Sequence, residues 1–286
     1  MLSKNEIKSY EKRYGFRPQK RLGQNFLIDA NIKEKILDAA GLETDDTVLE
    51  IGAGLGQLTF EIAEKVKRLI ALEFDKKIYS ILSGLSEGHS NIVLAHEDFL
   101  KFDFKKYVPV NKKIKIVSDP PYYISTPIML KIFSHYRYVE LVVMAVQREV
   151  ADRITARRGT KNYSPLSLVA QYHARVSRIF NISRNSFYPV PRVDSTVLCL
   201  RLKDAREIEK PYRKELFELI RASFAARRKT LINSLLVRGY GGLSRSQLTD
   251  IIKKKGVDPE ARAETLSLED FTDLVRSFIS YEKLSA

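Results

Sequence analysis

Short runs of apolar, mostly β-branched residues alternate with longer amphipathic stretches over the first two-thirds of the chain. The short runs predict strands, and stretches with apolar residues at every third or fourth position predict helices. The predicted strands are Thr47–Ile51, Arg68–Glu73, Asn91–Ala95, Ile114–Ser118, Val139–Val146 and Thr196–Leu202. The predicted helices between them include Asn31–Ala40, Gln57–Val66 and Pro127–Ser134. This alternation is typical of an α/β protein with a parallel sheet covered by helices.

The pattern changes after Lys203, where strand signals stop and helical periodicity continues. The predicted helices there are Tyr212–Ala226, Arg228–Arg238, Ser244–Lys255 and Ser267–Ser280. Glycine-containing segments separate the last three, as expected for breaks between helices. We therefore predict a larger α/β domain over residues 1–205 and a smaller C-terminal all-α domain over residues 206–286, with the boundary near residues 203–210.

Composition narrows the class of protein. The 286 residues are 44% hydrophobic and 29% charged, which indicates a packed globular protein and excludes a disordered or collagen-like one. No run of 18 apolar residues occurs and the N-terminus lacks the apolar stretch of a signal peptide, so a soluble, cytoplasmic protein is expected. The single cysteine, Cys199, lies in a strand-like run and is expected to be buried and inert. The four histidines lack metal-ligand spacing, so no metal site is predicted.

The net charge of +14 points to a polyanionic partner. Residues 1–21 carry seven basic and two acidic side chains, and residues 148–192 carry nine basic and two acidic, whereas residues 22–147 are nearly balanced. A single lysine or arginine is usually a solvated surface charge. Segregation into two blocks favours contact with phosphates instead.

A glycine-rich turn follows the first predicted strand. Gly52, Gly54 and Gly56 would let the backbone bend sharply and approach a ligand closely. Gln57 stands where the dinucleotide fingerprint needs glycine, which disfavours a pyrophosphate ligand. The acidic Glu50 before the turn suits a cationic or amino-bearing ligand.

Acidic residues also follow the next two strands. Glu73 is placed to accept hydrogen bonds from two ribose hydroxyls, and Asp98 could accept one from an adenine amino group while an apolar side chain covers the base. Phe74 and Phe99 stand beside these acids and are included in the predicted site. The ordered set resembles the binding site of class I methyltransferases, whose Rossmann-like sheet binds S-adenosylmethionine, so this is the expected cofactor. The alternative is that the glycines make only a tight turn and the acids cap helices.

The fourth strand leads into Asp119-Pro-Pro-Tyr122. An adenine N6 amine is a poor nucleophile, and acceptors aimed at its N–H bonds would stabilise the charge that develops as a methyl group arrives. The Asp119 carboxylate and the Pro120 carbonyl fit this task, and Tyr122 can stack on an extruded base. Phe187, on a proline-stiffened loop, could form the other side of a base sandwich. The alternatives are a rigid strand exit for the Pro-Pro-Tyr segment and a core position for Phe187.

From about Arg17 to Phe278 the chain resembles the ribosomal RNA adenine dimethyltransferase family, in particular its small-subunit (KsgA-type) branch. The motifs that carry the resemblance are Gln24-Asn-Phe-Leu27, Glu50-Ile-Gly-Ala-Gly-Leu-Gly56, Pro121-Tyr-Tyr-Ile-Ser-Thr-Pro127, Gln147-Arg-Glu-Val150, Phe187-x-Pro-x-Pro-x-Val-Asp-Ser195, Phe224-Ala-Ala-Arg-Arg-Lys-Thr-Leu231 and Arg262-Ala-Glu-x-Leu266. The resemblance implies that two neighbouring adenosines in the 3′-terminal hairpin of small-subunit rRNA are each converted to N6,N6-dimethyladenosine.

The resemblance also implies roles for individual residues. The cofactor would be bound by Gln24, Asn25, Leu27, Glu50, Gly52, Gly54, Glu73, Phe74, Asp98, Phe99 and Asp119. The target base would be held by Asp119, Pro120, Tyr122 and Phe187. The resemblance predicts contacts to rRNA for Arg227, Arg228 and Lys229, and the basic block at residues 148–192 adds Arg153, Arg157 and Arg158. The expected partner is the small ribosomal subunit, bound by a monomer.

One position departs from the family pattern, since Asp119-Pro120 stands where Asn-Leu is usual. An ionised aspartate only accepts hydrogen bonds, and holding the amine needs only acceptors, so we predict that both methyl groups are still added to each adenine. Other substrates remain possible: large-subunit rRNA, DNA adenine or a glutamine side chain. The C-terminal helical domain argues against these. A non-catalytic assembly factor is a further alternative, which the intact Glu73 and Asp98 disfavour.

Overall fold

The computed structural model describes residues 2–19, 22–109, 111–226 and 228–285 and divides the chain into two compact units. The first unit consists of Met1–Ala151 and Arg175–Leu202, and the second of Asp152–Ala174 and Lys203–Ala286. The first unit thus ends at Leu202, next to the boundary predicted near residues 203–210. Residues 152–174, which the sequence pattern placed in the larger domain, group instead with the C-terminal helices.

The strands of the described residues match the predicted ones closely. They are β1 Phe26–Leu27, β2 Thr47–Ile51, β3 Arg68–Glu73, β4 Ile92–His96, β5 Ile114–Ser118, β6 Val139–Gln147, β7 Ala174–Ile182, β8 Phe187–Tyr188 and β9 Ser195–Leu202. All six predicted strands are present, with ends that agree within one residue. The prediction missed the long strand β7 and the short strands β1 and β8.

The helices of the described residues surround the sheet of the first unit or form the second unit. They are α1 Lys4–Tyr14, α2 Ala30–Ala40, α3 Thr59–Ala63, α4 Lys76–Leu85, α5 Phe104–Tyr107, α6 Ser125–Ser134, α7 Arg148–Ile154, α8 Pro165–His173, α9 Ala205–Ile208, α10 Arg213–Ser223, α11 Leu231–Val237, α12 Arg245–Lys254 and α13 Leu268–Ser285. Within the described ranges, none of these helices has both the length and the apolar character that a bilayer crossing requires.

The main sheet has seven strands in the order β4-β3-β2-β5-β6-β9-β7. The five strands from β4 to β6 run parallel, and β9 pairs antiparallel with β6. Residues from neighbouring strands, including Val48, Leu69, Val117 and Val143, are buried in one apolar cluster with α2 and α3. The predicted α/β architecture is therefore confirmed, and Cys199 on β9 is a buried free thiol as expected.

The second unit is built from helices. Helix α10 contacts α8, α11 and α13, and α12 contacts α11 and α13. The four C-terminal helices appear where they were predicted, but α11 begins three residues later than expected. Thr230 caps it, because its side chain accepts a hydrogen bond from the Asn233 N–H. Arg228 and Lys229 therefore lie in the loop before α11 rather than inside it.

Candidate active site

The predicted acidic residues meet at one edge of the parallel sheet. Strands β2, β3, β4 and β5 run in the same direction, so the residues at their carboxyl ends come together there. A cavity of about 320 Å³ opens at this edge. It is lined by every residue predicted to bind the cofactor: Gln24, Asn25, Leu27, Glu50, Gly52, Gly54, Glu73, Phe74, Asp98, Phe99 and Asp119.

The glycine turn forms one wall of the cavity. Gly52 has φ of +80°, and its N–H donates to the Leu72 carbonyl at 3.0 Å, which ties the turn to the end of β3. Gly56 is required for a different reason: a Cβ there would lie 2.5 Å from the ring of Phe60. The turn is thus fixed both by its backbone conformation and by close packing.

Glu73 holds the turn in place from the end of β3. Its Oε2 accepts a hydrogen bond from the Gly54 N–H at 2.8 Å, and its Oε1 accepts one from the Asp75 N–H at 2.7 Å. Burial raises the pKa of Glu73, although these backbone hydrogen bonds oppose the shift. Each carboxylate oxygen keeps a second lone pair, so the side chain can still accept hydrogen bonds from a diol in the cavity.

Glu50 is more deeply enclosed, with 2% of its surface exposed. One of its oxygens accepts a hydrogen bond from the Thr59 hydroxyl at 2.7 Å. Burial, with a smaller contribution from Glu73, raises the pKa of Glu50 to about 8. Glu50 has no cationic partner among the described residues. A positively charged ligand would stabilise its ionised form, so this position favours such a ligand.

Asp119 lies where β5 ends and is half-buried beside the glycine turn. The Ser118 hydroxyl donates to the Ile51 carbonyl at 2.8 Å, which joins the ends of β5 and β2. A Cβ added to Gly52 would lie 3.9 Å from the Asp119 carbonyl oxygen and 3.8 Å from the Cα of Pro120. Burial alone raises the pKa of Asp119 to about 7. No described side chain donates a hydrogen bond to its carboxylate, which leaves that carboxylate available to a ligand.

The other residues predicted to hold the target base do not line the cavity. The Tyr122 hydroxyl lies 2.6 Å from the Ser195 hydroxyl, and burial followed by the nearby Asp119 raises the pKa of Tyr122. Phe187 is only 1% exposed, because β8 pairs with β1 and places its ring in the core cluster. In this conformation the Phe187 ring is part of the core, which was the alternative to a stacking role. Stacking on a target base would require the ring to become exposed.

The aromatic residues beside the cavity differ in accessibility. Phe74 is 57% exposed and can cover a flat ligand, whereas Phe99 is buried against Phe102 and Phe104. Tyr123, which sequence reasoning did not single out, lines the cavity with 58% of its surface exposed. Asp98 caps the turn that follows β4, since one of its oxygens accepts from the Leu100 N–H at 2.9 Å.

Asp75 is a second residue that sequence reasoning missed. One of its oxygens accepts from the side-chain amides of Gln19 and Gln24, at 2.9 Å and 3.1 Å, and the other caps α4. The N-terminal segment is thereby fastened to the cavity wall. The signal in the sequence was an aspartate directly before a helix, which usually indicates only a cap.

The predicted RNA-binding residues that the structure describes all belong to the second unit. Arg153, Arg157, Arg158, Arg228 and Lys229 are exposed, and their positions agree with a surface role. Arg158 is partly engaged, 3.6 Å from the Asp270 carboxylate. Arg227 lies outside the described residues.

The parallel sheet and the acid-lined cavity at its carboxyl edge define a class I methyltransferase. A family model described as Ribosomal RNA adenine dimethylase matches residues 15–280. The chain belongs to this family, which confirms the resemblance that the motifs indicated.

Individual relatives support the same assignment. A "Ribosomal RNA small subunit methyltransferase A" of Clostridioides difficile (strain 630) is 38% identical over 275 residues, which cover 95% of this chain and 94% of that protein. The crystal structure of a dimethyladenosine transferase from Plasmodium falciparum is similar with a TM-score of 0.78 at 28% identity, covering 90% of this chain and 98% of that one. The crystal structure of the 23S rRNA methyltransferase ErmE is similar with a TM-score of 0.68 at 25% identity, covering 89% and 99%.

The raised pKa of Glu50 predicts a pH-dependent affinity for a cationic cofactor. In the free protein Glu50 is largely protonated below a pKa of about 8, and a bound cation favours the ionised form. The dissociation constant for S-adenosylmethionine should therefore rise as pH falls below 8, by up to about tenfold per unit. Isothermal titration calorimetry from pH 6 to 9, at constant ionic strength, measures this.

Glu50→Gln is the control for this prediction, because the amino group of the cofactor titrates in the same range. The variant should lose the part of the pH dependence that arises from ionisation of Glu50. The ratio of its dissociation constant for S-adenosylmethionine to that of the wild type should therefore change with pH. A ratio that stays constant from pH 6 to 9 would contradict the assignment of Glu50 to the cofactor cation.

Proposed function

We propose that the protein transfers methyl groups from S-adenosylmethionine to N6 of two adjacent adenosines in the 3′-terminal hairpin of small-subunit (16S) rRNA. The products are N6,N6-dimethyladenosines, and the modification accompanies assembly of the small subunit. One observation carries the proposal: the loop that begins at Asp119 packs so close to the glycine turn that a Cβ added to Gly52 would lie 3.8–3.9 Å from its backbone, and Gly52 and Asp119 line the same cavity. A methyl donor and an adenine amine can therefore meet at one place.

The residues of the cavity fit S-adenosylmethionine. This cofactor supplies a methyl group on a positively charged sulfur, which suits a cavity that contains carboxylates and no basic lining residue among those described. Glu73 would hold the ribose hydroxyls, and Asp98 the adenine amino group, with Phe74 covering the base. Glu50 and the turn at Gly52 would hold the methionine end.

The target amine would be held by the Asp119 carboxylate and the Pro120 carbonyl. Two acceptors aimed at the two N–H bonds of N6 draw the nitrogen out of conjugation with the ring and stabilise the charge that forms on it. The methylated nitrogen is acidic enough to lose its proton to solvent afterwards, so no side chain has to act as a base. Asp119 performs this task best when ionised, because its protonated form offers one acceptor fewer.

The second unit would recognise the rRNA. Its exposed basic residues at 153–158 and 228–229 come from separate parts of the sequence but belong to one compact body. Lysine and arginine contacts to phosphates fix orientation without reading sequence, which suits recognition of a folded RNA in a subunit. The protein would bind the small subunit as a monomer in the cytoplasm.

Large-subunit rRNA is the second candidate substrate, because the fold is also similar to that of a 23S rRNA methyltransferase. The relative named for the small subunit is more similar in sequence, at 38% identity against 25%. This difference favours the small subunit.

The experiment that tests the proposal supplies labelled S-adenosylmethionine together with unmethylated small subunits, large subunits or duplex DNA. Nucleoside mass spectrometry should find N6,N6-dimethyladenosine in the small-subunit RNA alone. Chiefly monomethyladenosine would contradict the prediction that Asp119 supports both transfers. Label in the large subunit or in DNA would indicate another substrate, and the absence of label from every sample would indicate a non-catalytic assembly factor.

A further inference from the structure

We propose that helix α1 is a second RNA-binding surface, in which Lys4, Lys8 and Lys12 contact rRNA phosphates beside the cofactor cavity. The proposal rests on the proposed function, because it concerns how the same substrate is held. The first unit would then contact rRNA through α1, in addition to the contacts expected from the basic residues of the second unit.

Helix α1 is formed and capped within the described structure. The Ser3 side chain accepts from the Glu6 N–H, and the Glu6 carboxylate accepts from the Ser3 N–H at 2.7 Å. Gly15 ends the helix with φ of +60°. Such a capping box stabilises a helix start by satisfying backbone donors at both positions. The basic residues of α1 therefore have a fixed arrangement before any RNA binds.

The helix is attached to the wall of the cavity. Ile7 is fully buried in a cluster with Phe16, Phe26, Leu55 and Ile78. Phe26 and Ile78 also line the cofactor cavity. Through this apolar contact, the position of α1 is tied to the position of the cofactor.

The three lysines lie on one side of the helix. Their spacing of four residues places them one above another, over a rise of about 12 Å in total. All three are exposed, and no described residue forms an ion pair with any of them. The Lys4 ammonium lies 5.8 Å from the centre of the Tyr188 ring, so the row begins next to the strand that contains Phe187.

The two acidic residues of α1 offset only part of this charge, because the helix carries four basic side chains against two acidic ones. The Glu6 carboxylate also accepts a hydrogen bond in the N-terminal cap. Arg13 and Arg17 add exposed positive charge near the C-terminal end of the helix. Because the lysines lie within roughly one Debye length of one another, their fields add at physiological salt. A polyanion such as an RNA strand is the partner that this surface fits.

The test replaces all three lysines by glutamine, which has a similar helix propensity. Lys4→Gln/Lys8→Gln/Lys12→Gln should weaken binding to small subunits by roughly 10- to 100-fold at 0.15 M salt. The slope of log affinity against log salt concentration should become less negative by about 2 to 3. The dissociation constant for S-adenosylmethionine and the rate at saturating small subunits should stay at the wild-type values.

A matched control removes the same charge elsewhere on the first unit. Lys65, Lys67 and Lys112 are exposed and lie before the amino ends of β3 and β5, opposite the edge that holds the cavity. Their triple glutamine variant should change the affinity less than about threefold, through loss of general attraction alone. Replacing Lys4, Lys8 and Lys12 by arginine should keep the wild-type affinity and slope, and circular dichroism checks that α1 remains folded.

Equal affinities and salt slopes for the α1 variant and the control variant would overturn the proposal. Binding is measured without cofactor, so this result does not depend on catalysis. If the wild-type protein bound small subunits but left them unmethylated, the proposed function would fail while the α1 surface could still be confirmed. If wild-type binding itself showed no salt dependence, the α1 proposal would be wrong.

Discussion

Asp119→Ala should lower the rate of methyl transfer at saturating substrates by about 100- to 1000-fold, the effect expected when one preorganised polar group is lost from a transition state. Asp119 is well placed for this role because it lines the cavity, its backbone lies beside the glycine turn, and no described side chain donates a hydrogen bond to its carboxylate. The variant should bind small subunits nearly as well as the wild type, since the side chain acts on the amine and not on the RNA backbone. Single-turnover labelling and a separate binding assay measure the two quantities.

Asp119→Asn is the matched control, because the amide keeps one oxygen acceptor and removes the charge. It restores the residue that is usual in the family and should retain much of the activity. Loss of subunit binding with normal chemistry in Asp119→Ala would contradict the assigned role. Equal rates of methyl transfer for Asp119→Ala and the wild type would show that the Asp119 carboxylate does not hold the adenine N6 amine.

Glu73→Ala should weaken S-adenosylmethionine binding by about 100-fold or more. The substitution removes the acceptor for two ribose hydroxyls, and hydrogen bonds to a charged group contribute about 1.5–3 kcal/mol each. It also leaves the Gly54 and Asp75 N–H groups without the carboxylate that now accepts from both. Calorimetry with S-adenosylmethionine measures the loss.

Glu87→Ala removes the same charge from an exposed position on the first unit and should leave cofactor affinity unchanged. Glu73→Gln should be intermediate, because an amide has one oxygen to accept and presents an NH₂ group to one of the two backbone donors. An affinity for Glu73→Ala within threefold of the wild type would show that the ribose is held elsewhere.

The sheet could be predicted from the sequence because buried parallel strands are continuous apolar runs. Strand β3 shows this well, since Leu69, Ile70, Ala71 and Leu72 form an unbroken buried apolar run. The cofactor cavity followed from the same pattern, because the carboxyl ends of parallel strands share one edge. The sequence alone therefore predicts that Glu50, Glu73 and Asp98 lie together.

Other features depend on tertiary contacts that a linear pattern does not contain. Strand β7 lies at the end of the sheet and is largely exposed, so polar residues interrupt the apolar run by which the other strands were predicted. Helix α1 lies within the basic block of residues 1–21, where the charge indicated phosphate contact but no helix was predicted. The sequence motif around Phe187 is the same whether its ring faces a ligand or the core. In this structure the pairing of β8 with β1 places the ring in the core.

The chain passes between the two units three times, after Ala151, Ala174 and Leu202. A truncation at residue 205 would therefore leave α8 attached to the catalytic part but without α10 and α13, against which it packs. The apolar side chains of α8, including Leu166, Leu168 and Tyr172, would become exposed and promote aggregation. Exchanging the RNA-binding part between relatives consequently requires transplanting residues 152–174 together with everything after residue 202.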